Sequence, residues 1–168
     1  MQLGEGFAGD GADLAHVNTV LGARSGPVGT AWATALASPS QGHAPFVVVA
    51  RPGIPVQPYT LFVNKAAIGP DPHGELTWGA AQAGVARGVG AAVEDGTIDR
   101  ATVGELCLIV AVWVNPVAVD ADAVHANNAA ATRQALAAGA AGRPDVDDVL
   151  RAAADPGNPY FRPGSRPG

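Results

Sequence analysis

The first regular pattern in the chain is an alternation over residues 13–21. Leu14, His16, Asn18 and Val20 fall on one side, and Ala15, Val17, Thr19 and Leu21 on the other, before Gly22 ends it. A period of two predicts a strand and sets His16 and Asn18 side by side on one of its faces. Pro27 stands where a first helical turn would begin, and residues 30–37 are alanine-rich with Trp32 and Leu36 four apart, which predicts a helix ending before Pro39. Residues 46–50 form a short apolar, β-branched run, the mark of a buried strand, closed by Arg51-Pro52-Gly53. A second alternation over 59–68 predicts another strand, with Lys65 on the face of Leu61 and Val63, and the prolines and glycine of 69–72 close it as a loop.

The spacing then changes. Trp78, Ala81, Gln82, Val85, Val89 and Val93 recur at threes and fours and predict a helix over 78–93. Gly84, Gly88 and Gly90 weaken it intrinsically by about 1 kcal/mol each, so they point to close packing against a sheet or a neighbour. Residues 106–114 are the most hydrophobic strand, stopped by Asn115-Pro116, and 122–138 read as a last long helix with Val124, Asn128, Ala131, Ala135 and Ala138 along one stripe. From Arg143 onward recurring prolines limit regular structure to one short helix over 146–154. The pattern predicts a mixed α/β domain over 1–142 with at least four strands, followed by a proline-rich C-terminal segment over 143–168.

Composition narrows the functional classes. The 168 residues carry 10 basic and 15 acidic side chains, a net charge of −5, so the basic footprint of a nucleic-acid binder is missing. The N-terminus has neither a basic nor an apolar leader region, and no apolar run approaches the ~20 residues that span a bilayer, which predicts a cytoplasmic protein with no membrane partner. Cys107, the single cysteine, lies in an apolar run and reads as a small buried hydrophobe.

Three side chains break their surroundings. Lys65 is the only lysine and sits mid-strand; it is either an edge-strand lysine that guards against aggregation or the cationic wall of a pocket for an anionic or carbonyl group. His16, next to Asn18, is either a structural imidazole or, if it borders a cleft, the best general acid or base in the chain. Gln82 interrupts an apolar stripe, and a buried amide there needs partners, of which a ligand is one. His43, His73 and His125 lack metal-ligand spacing, and no phosphate-binding glycine loop occurs, so no metal site is expected.

Several fragments together carry a resemblance: Gly9-Asp10-Gly11 followed by Ala15-His16-Val17 and Leu21-Gly22, Asn64-Lys65 within 62–68, Gly79-Ala80-Ala81-Gln82, the run 93–98, Asn128 with Ala131-Thr132, and a weaker echo at Asn158-Pro159-Tyr160-Phe161. In order and spacing over most of 4–142 the chain resembles the formaldehyde-activating enzyme family, the tetrahydromethanopterin hydro-lyases. The resemblance implies a two-layer α/β sandwich with a mixed sheet and a left-handed βαβ crossover, assembled as a homopentamer with active sites between subunits. It implies condensation of formaldehyde with tetrahydromethanopterin, a co-substrate rather than a tightly bound cofactor, to the methylene derivative and water. His16 matches the proton donor, Lys65 and Gln82 match residues lining the pterin site, and Val47 falls where a leucine packs on the ligand.

Three departures stand out. Asn18 replaces an acidic residue two positions after the histidine, which takes a carboxylate from beside His16. Ala67 replaces a threonine two after the lysine, and Asn115-Pro116 stands in place of a His-Trp pair. Asn18 and Ala67 are both expected to line the cleft. They frame an alternative expectation, a divergent paralogue that binds a different pterin or amine ligand without this turnover.

Overall fold

A computed structural model describes residues 1–69, 71–158 and 164. In chain order its elements are β1 (Gln2–Ala8), β2 (Ala15–Ala23), α1 (Pro27–Ala37), β3 (Phe46–Val47), β4 (Val49–Arg51), β5 (Ile54–Pro55), β6 (Tyr59–Asn64), α2 (Asp71–Glu75), a π-helical turn (Leu76–Ala81), α3 (Gln82–Glu94), β7 (Leu106–Trp113), α4 (Ala121–Ala140) and α5 (Val146–Ala153). Five strands form a mixed sheet in the order β1-β2-β7-β6-β3, and β4 and β5 make a separate two-stranded ribbon. Neighbours run antiparallel except β6 and β7, which are parallel and joined through α2 and α3.

The predicted elements are present, with boundaries moved for identifiable reasons. The first predicted strand begins at Ala15 rather than Asp13. Residues 11–13 instead form a 3-10 turn, from which Asp13 Oδ1 accepts the backbone N–H groups of Val119 and Asp120. The 46–50 run is two strands, not one. Val48 turns fully into the core between them, its N–H donated to the Thr60 carbonyl, and the next N–H, of Val49, goes to Gln82 Oε1 at 2.7 Å. The strand expected over 59–68 stops at Asn64, whose side-chain amide donates to the carbonyls of Gly42 at 2.7 Å and Ala66 at 2.6 Å and so folds the chain away.

The helix expected to start at Trp78 starts seven residues earlier, at Asp71. The loop signal of Pro72 misleads because proline is tolerated in a first helical turn. Buried His73 fixes that turn, its Nδ1 accepting from the Gly69 N–H at 2.9 Å and its Nε2 donating to the Val114 carbonyl at 3.0 Å. The π-helical turn then shifts the register ahead of Gln82.

Strand β1 was not anticipated at all, and its glycines explain both the omission and the packing. A Cβ on Gly4 would stand 1.8 Å from the carbonyl oxygen of Ala135, and one on Gly6 2.1 Å from that of Ala131, so α4 lies directly on β1. Gly84 and Gly88 serve the same end on α3, where added Cβ atoms would meet the carbonyls of His125 at 2.4 Å and Ala129 at 2.7 Å. Gly90 meets nothing within 4 Å. Between the helices and the sheet sits a core of Val17, Phe62, Leu108, Val110, Val112, Val85, Val89 and Val124. On the other face α1 covers one end of the sheet, where Gly22 leaves room for Val28. The remainder of that face carries the candidate site.

Candidate functional site

Strand register decides which polar groups meet. Phe7 pairs with His16 and His16 with Trp113, so one row of side chains crosses β1, β2 and β7 on the face away from α4. Lys65 joins this row one step beyond β6, its N–H held by the Val112 carbonyl at 2.8 Å. The next row is Glu5, Asn18, Ala111 and Val63. Ala111 is the small member between Asn18 and Val63, and over it Lys65 Nζ reaches Asn18 Oδ1 at 2.5 Å. Asn18 Nδ2 in turn donates to Glu5 Oε1 at 3.2 Å, and His16 Nε2 shares that same oxygen at 2.6 Å. The result is one hydrogen-bonded chain from Lys65 through Asn18 and Glu5 to His16.

Phe7 fixes the imidazole plane by stacking on it, with ring centroids 4.0 Å apart and planes 9° from parallel. Glu5, Phe7, Leu14, His16, Lys65 and Trp113 line a cavity of about 580 Å³, with Gly157 and Asn158 of the C-terminal segment at its wall. A cavity of this size accommodates a drug-sized ligand.

The electrostatics follow from this layout. Burial of Lys65 removes water from its ammonium and lowers its pKa to about 8, although the Glu5 carboxylate pulls the other way. Burial raises Glu5, but the hydrogen bonds from His16 and Asn18 and the charges of His16 and Lys65 outweigh it, so its carboxyl lies below the ordinary value. A carboxylate thus stands beside His16, supplied by Glu5 from β1.

Other predicted site residues lie elsewhere. Val47 and Gln82 line a separate hollow of about 460 Å³ with Pro45, Phe46, Val49 and Trp78, which is 55% exposed. Val47 pairs with Leu61, four residues and roughly 13 Å along the chain from Lys65. Gln82 satisfies its carbonyl with the Val49 N–H, so within one chain its acceptor is taken by backbone. Ala67 is exposed beside Gly42 and lines neither of these two hollows of the single chain.

Sequence reasoning missed Glu5, Phe7 and Trp113. The signal for the first two was the alternation Leu3, Glu5, Phe7 against Gly4 and Gly6, hidden because glycine does not read as a strand residue. Cys107 is buried as expected, and burial raises its thiol. Among the described residues no three His, Cys, Asp or Glu side chains are grouped to hold a metal ion, and no helix is long and apolar enough to cross a membrane.

Comparison with known proteins gives a consistent answer. The family model described as "Formaldehyde-activating enzyme (Fae)" matches residues 3–161. A "Bifunctional enzyme Fae/Hps" of Methanococcoides burtonii is 39% identical over 150 residues, covering 89% of this chain and 38% of that protein. One from Archaeoglobus fulgidus is 36% identical over 149 residues, again 89% of this chain and 38% of the other. A "5,6,7,8-tetrahydromethanopterin hydro-lyase" of Methanosarcina barkeri is 38% identical over 148 residues, covering 88% of this chain and 83% of that protein. The chain thus spans under two-fifths of the length of these bifunctional relatives and most of the length of the single-function one.

Proposed function

The chain belongs to the formaldehyde-activating enzyme family, and on that premise we propose that it condenses formaldehyde with a reduced pterin of the tetrahydromethanopterin kind, giving the methylene derivative and water. The observation that supports this reading is the hydrogen-bonded chain from His16 through Glu5 and Asn18 to Lys65, of which His16, Glu5 and Lys65 line one cavity.

Formaldehyde adds to an amine to give a hydroxymethyl amine, whose C–O bond must then break. Hydroxide is a poor leaving group, so the slow step needs a proton on that oxygen. His16 as imidazolium donates it, and water departs as the nitrogen lone pair forms the C=N bond. Glu5 holds the ring in place through Nε2. A positioned acid of this kind contributes about 10²–10⁴-fold.

Val47, Gln82 and Trp78 are proposed to grip the pterin. Their hollow lies apart from His16 within one chain, which favours a ring of copies, a pentamer, in which the hollow of one subunit faces the cavity of the next. The left-handed sense of the β6-to-β7 crossover belongs to the same proposal.

The test is the rate of methylene formation from formaldehyde and tetrahydromethanopterin or tetrahydrofolate, measured against the uncatalysed reaction. Wild type should exceed that background, and His16→Ala should fall back by about 100-fold. A wild-type rate equal to background sinks the reading. Tight thermal stabilisation by a different amine, again without turnover, would transfer the assignment to the divergent-paralogue alternative.

A further inference from the structure

Lys65 is the only lysine of the chain, and it lines the 580 Å³ cavity that His16 also lines. Its position differs from that of a charge that only holds an anion. The acceptor at 2.5 Å is a neutral amide oxygen, Asn18 Oδ1. The Glu5 carboxylate is engaged by Asn18 Nδ2 at 3.2 Å and by His16 Nε2 at 2.6 Å. The side chain is therefore half-buried, its amine is connected by hydrogen bonds to His16, and the residue lines a cavity far larger than a one-carbon aldehyde needs.

We propose that Lys65 is a catalytic nucleophile, whose amine takes up formaldehyde as a Schiff base and passes the one-carbon unit to the amine of the pterin. This rests on the condensation proposed above and specifies where formaldehyde is first held.

The steps balance. The neutral Lys65 amine attacks the aldehyde carbon, and proton transfer from nitrogen to oxygen leaves Lys65–NH–CH₂OH. His16 donates one proton to the hydroxyl, the C–O bond breaks, water leaves, and a protonated imine, Lys65–NH⁺=CH₂, remains. The first pterin amine adds to that carbon and gives up its proton. Protonation of the lysine nitrogen then breaks the C–N bond to Lys65, releasing its neutral amine and leaving the carbon as an iminium on the pterin. The second pterin amine closes the methylene bridge and loses its proton. The proton consumed in expelling water is returned, and the sum is formaldehyde plus two N–H groups giving a methylene bridge and water. An amine with a pKa of about 8 is partly neutral at pH 7, whereas one at the ordinary 10.5 is almost wholly protonated.

The test uses the full chain with isotopically labelled formaldehyde and cyanoborohydride at pH 7, and follows methyl incorporation by mass spectrometry. The chain's own N-terminal amine and a synthetic peptide of residues 61–69 serve as references. Lys65 in the folded protein should be labelled at least about tenfold faster than the same lysine in the peptide. Asn18→Asp, which sets a carboxylate against the ammonium, should slow labelling by about tenfold. Lys65→Arg keeps the charge but cannot form an imine; it should lose about 100-fold in methylene formation while still being thermally stabilised by tetrahydromethanopterin.

Labelling no faster than in the peptide, or an active Lys65→Arg enzyme, overturns the proposal. The two readings fail separately. Turnover without fast labelling discards Lys65 as nucleophile and leaves the condensation standing. Fast labelling without turnover discards the condensation and leaves aldehyde capture standing.

Discussion

The two faces of the five-stranded sheet are built from the same alternating strands and do opposite work. The face under α4 is dry and close-packed: Ala15 and Val17 are fully buried, and Gly4 and Gly6 let the helix backbone come down onto β1. The opposite face leaves Glu5, His16, Asn18 and Lys65 in one hydrogen-bonded chain over the small side chain of Ala111. Residues adjacent in sequence, such as Gly4 and Glu5, therefore belong to different problems. The first is constrained by volume and the second by charge. Substitutions on the first face should change stability, and those on the second should change rate and pH response.

The largest expected effect is on the packed face. Gly6→Val places a Cβ where the Ala131 carbonyl oxygen lies 2.1 Å away, and it should lower unfolding free energy by about 3 kcal/mol in a urea titration. Next comes Glu5→Gln, one position away on the other face. It should reduce methylene formation roughly tenfold with little change in the urea midpoint at neutral pH. Because the Glu5 carboxyl lies below its ordinary 4.5 in the folded chain, its stabilising contribution is present above that pH and is lost as pH falls through the native value. Acid titration of Glu5→Gln should lack that portion of the loss. A midpoint at neutral pH that moves as far for Glu5→Gln as for Gly6→Val would erase the contrast between the faces.

Lys65 gives a smaller effect, in which removing the charge stabilises the fold. Its folded value of about 8 is below the ordinary 10.5, so the native chain binds fewer protons than the unfolded one between those limits, and its contribution to stability rises as pH climbs from about 8 to 10.5. Lys65→Met should flatten that rise and gain less than about 1 kcal/mol at pH 7, an amount kept small because the side chain is only half-buried. Smallest of all is Ala67→Ser, at an exposed position on neither wall, which should stay within about 0.5 kcal/mol of wild type in thermal unfolding.

The legible part of the fold was the part written in apolar periodicity. Strands β2 and β7 and helix α4 announced themselves because their buried residues recur at twos or at threes and fours. Strand β1 did not, since half of its helix-facing positions carry no side chain and its contribution is an absence of volume. With β1 went Glu5, so the carboxylate beside His16 was sought at position 18 of the same strand rather than across the pair. His16 and Lys65 were identifiable as chemical exceptions to their surroundings. Their junction through Asn18 depends on the order β2-β7-β6, a non-local fact that no local spacing encodes.

The sheet also ends differently at its two margins. On one side β3 is two residues long, and the next N–H that would face outward, that of Val49, is capped by the Gln82 side chain. On the other side β1 runs seven residues, and among the described residues only β2 is paired with it. A ring built head to tail through one continuous sheet needs two receptive margins, and among the described residues this five-stranded sheet offers a long one only at β1; pairing β1 with another β1 is self-complementary and closes at two copies. In the ring proposed above, subunits would then meet through side-chain surfaces rather than by continuing this five-stranded sheet from one copy to the next.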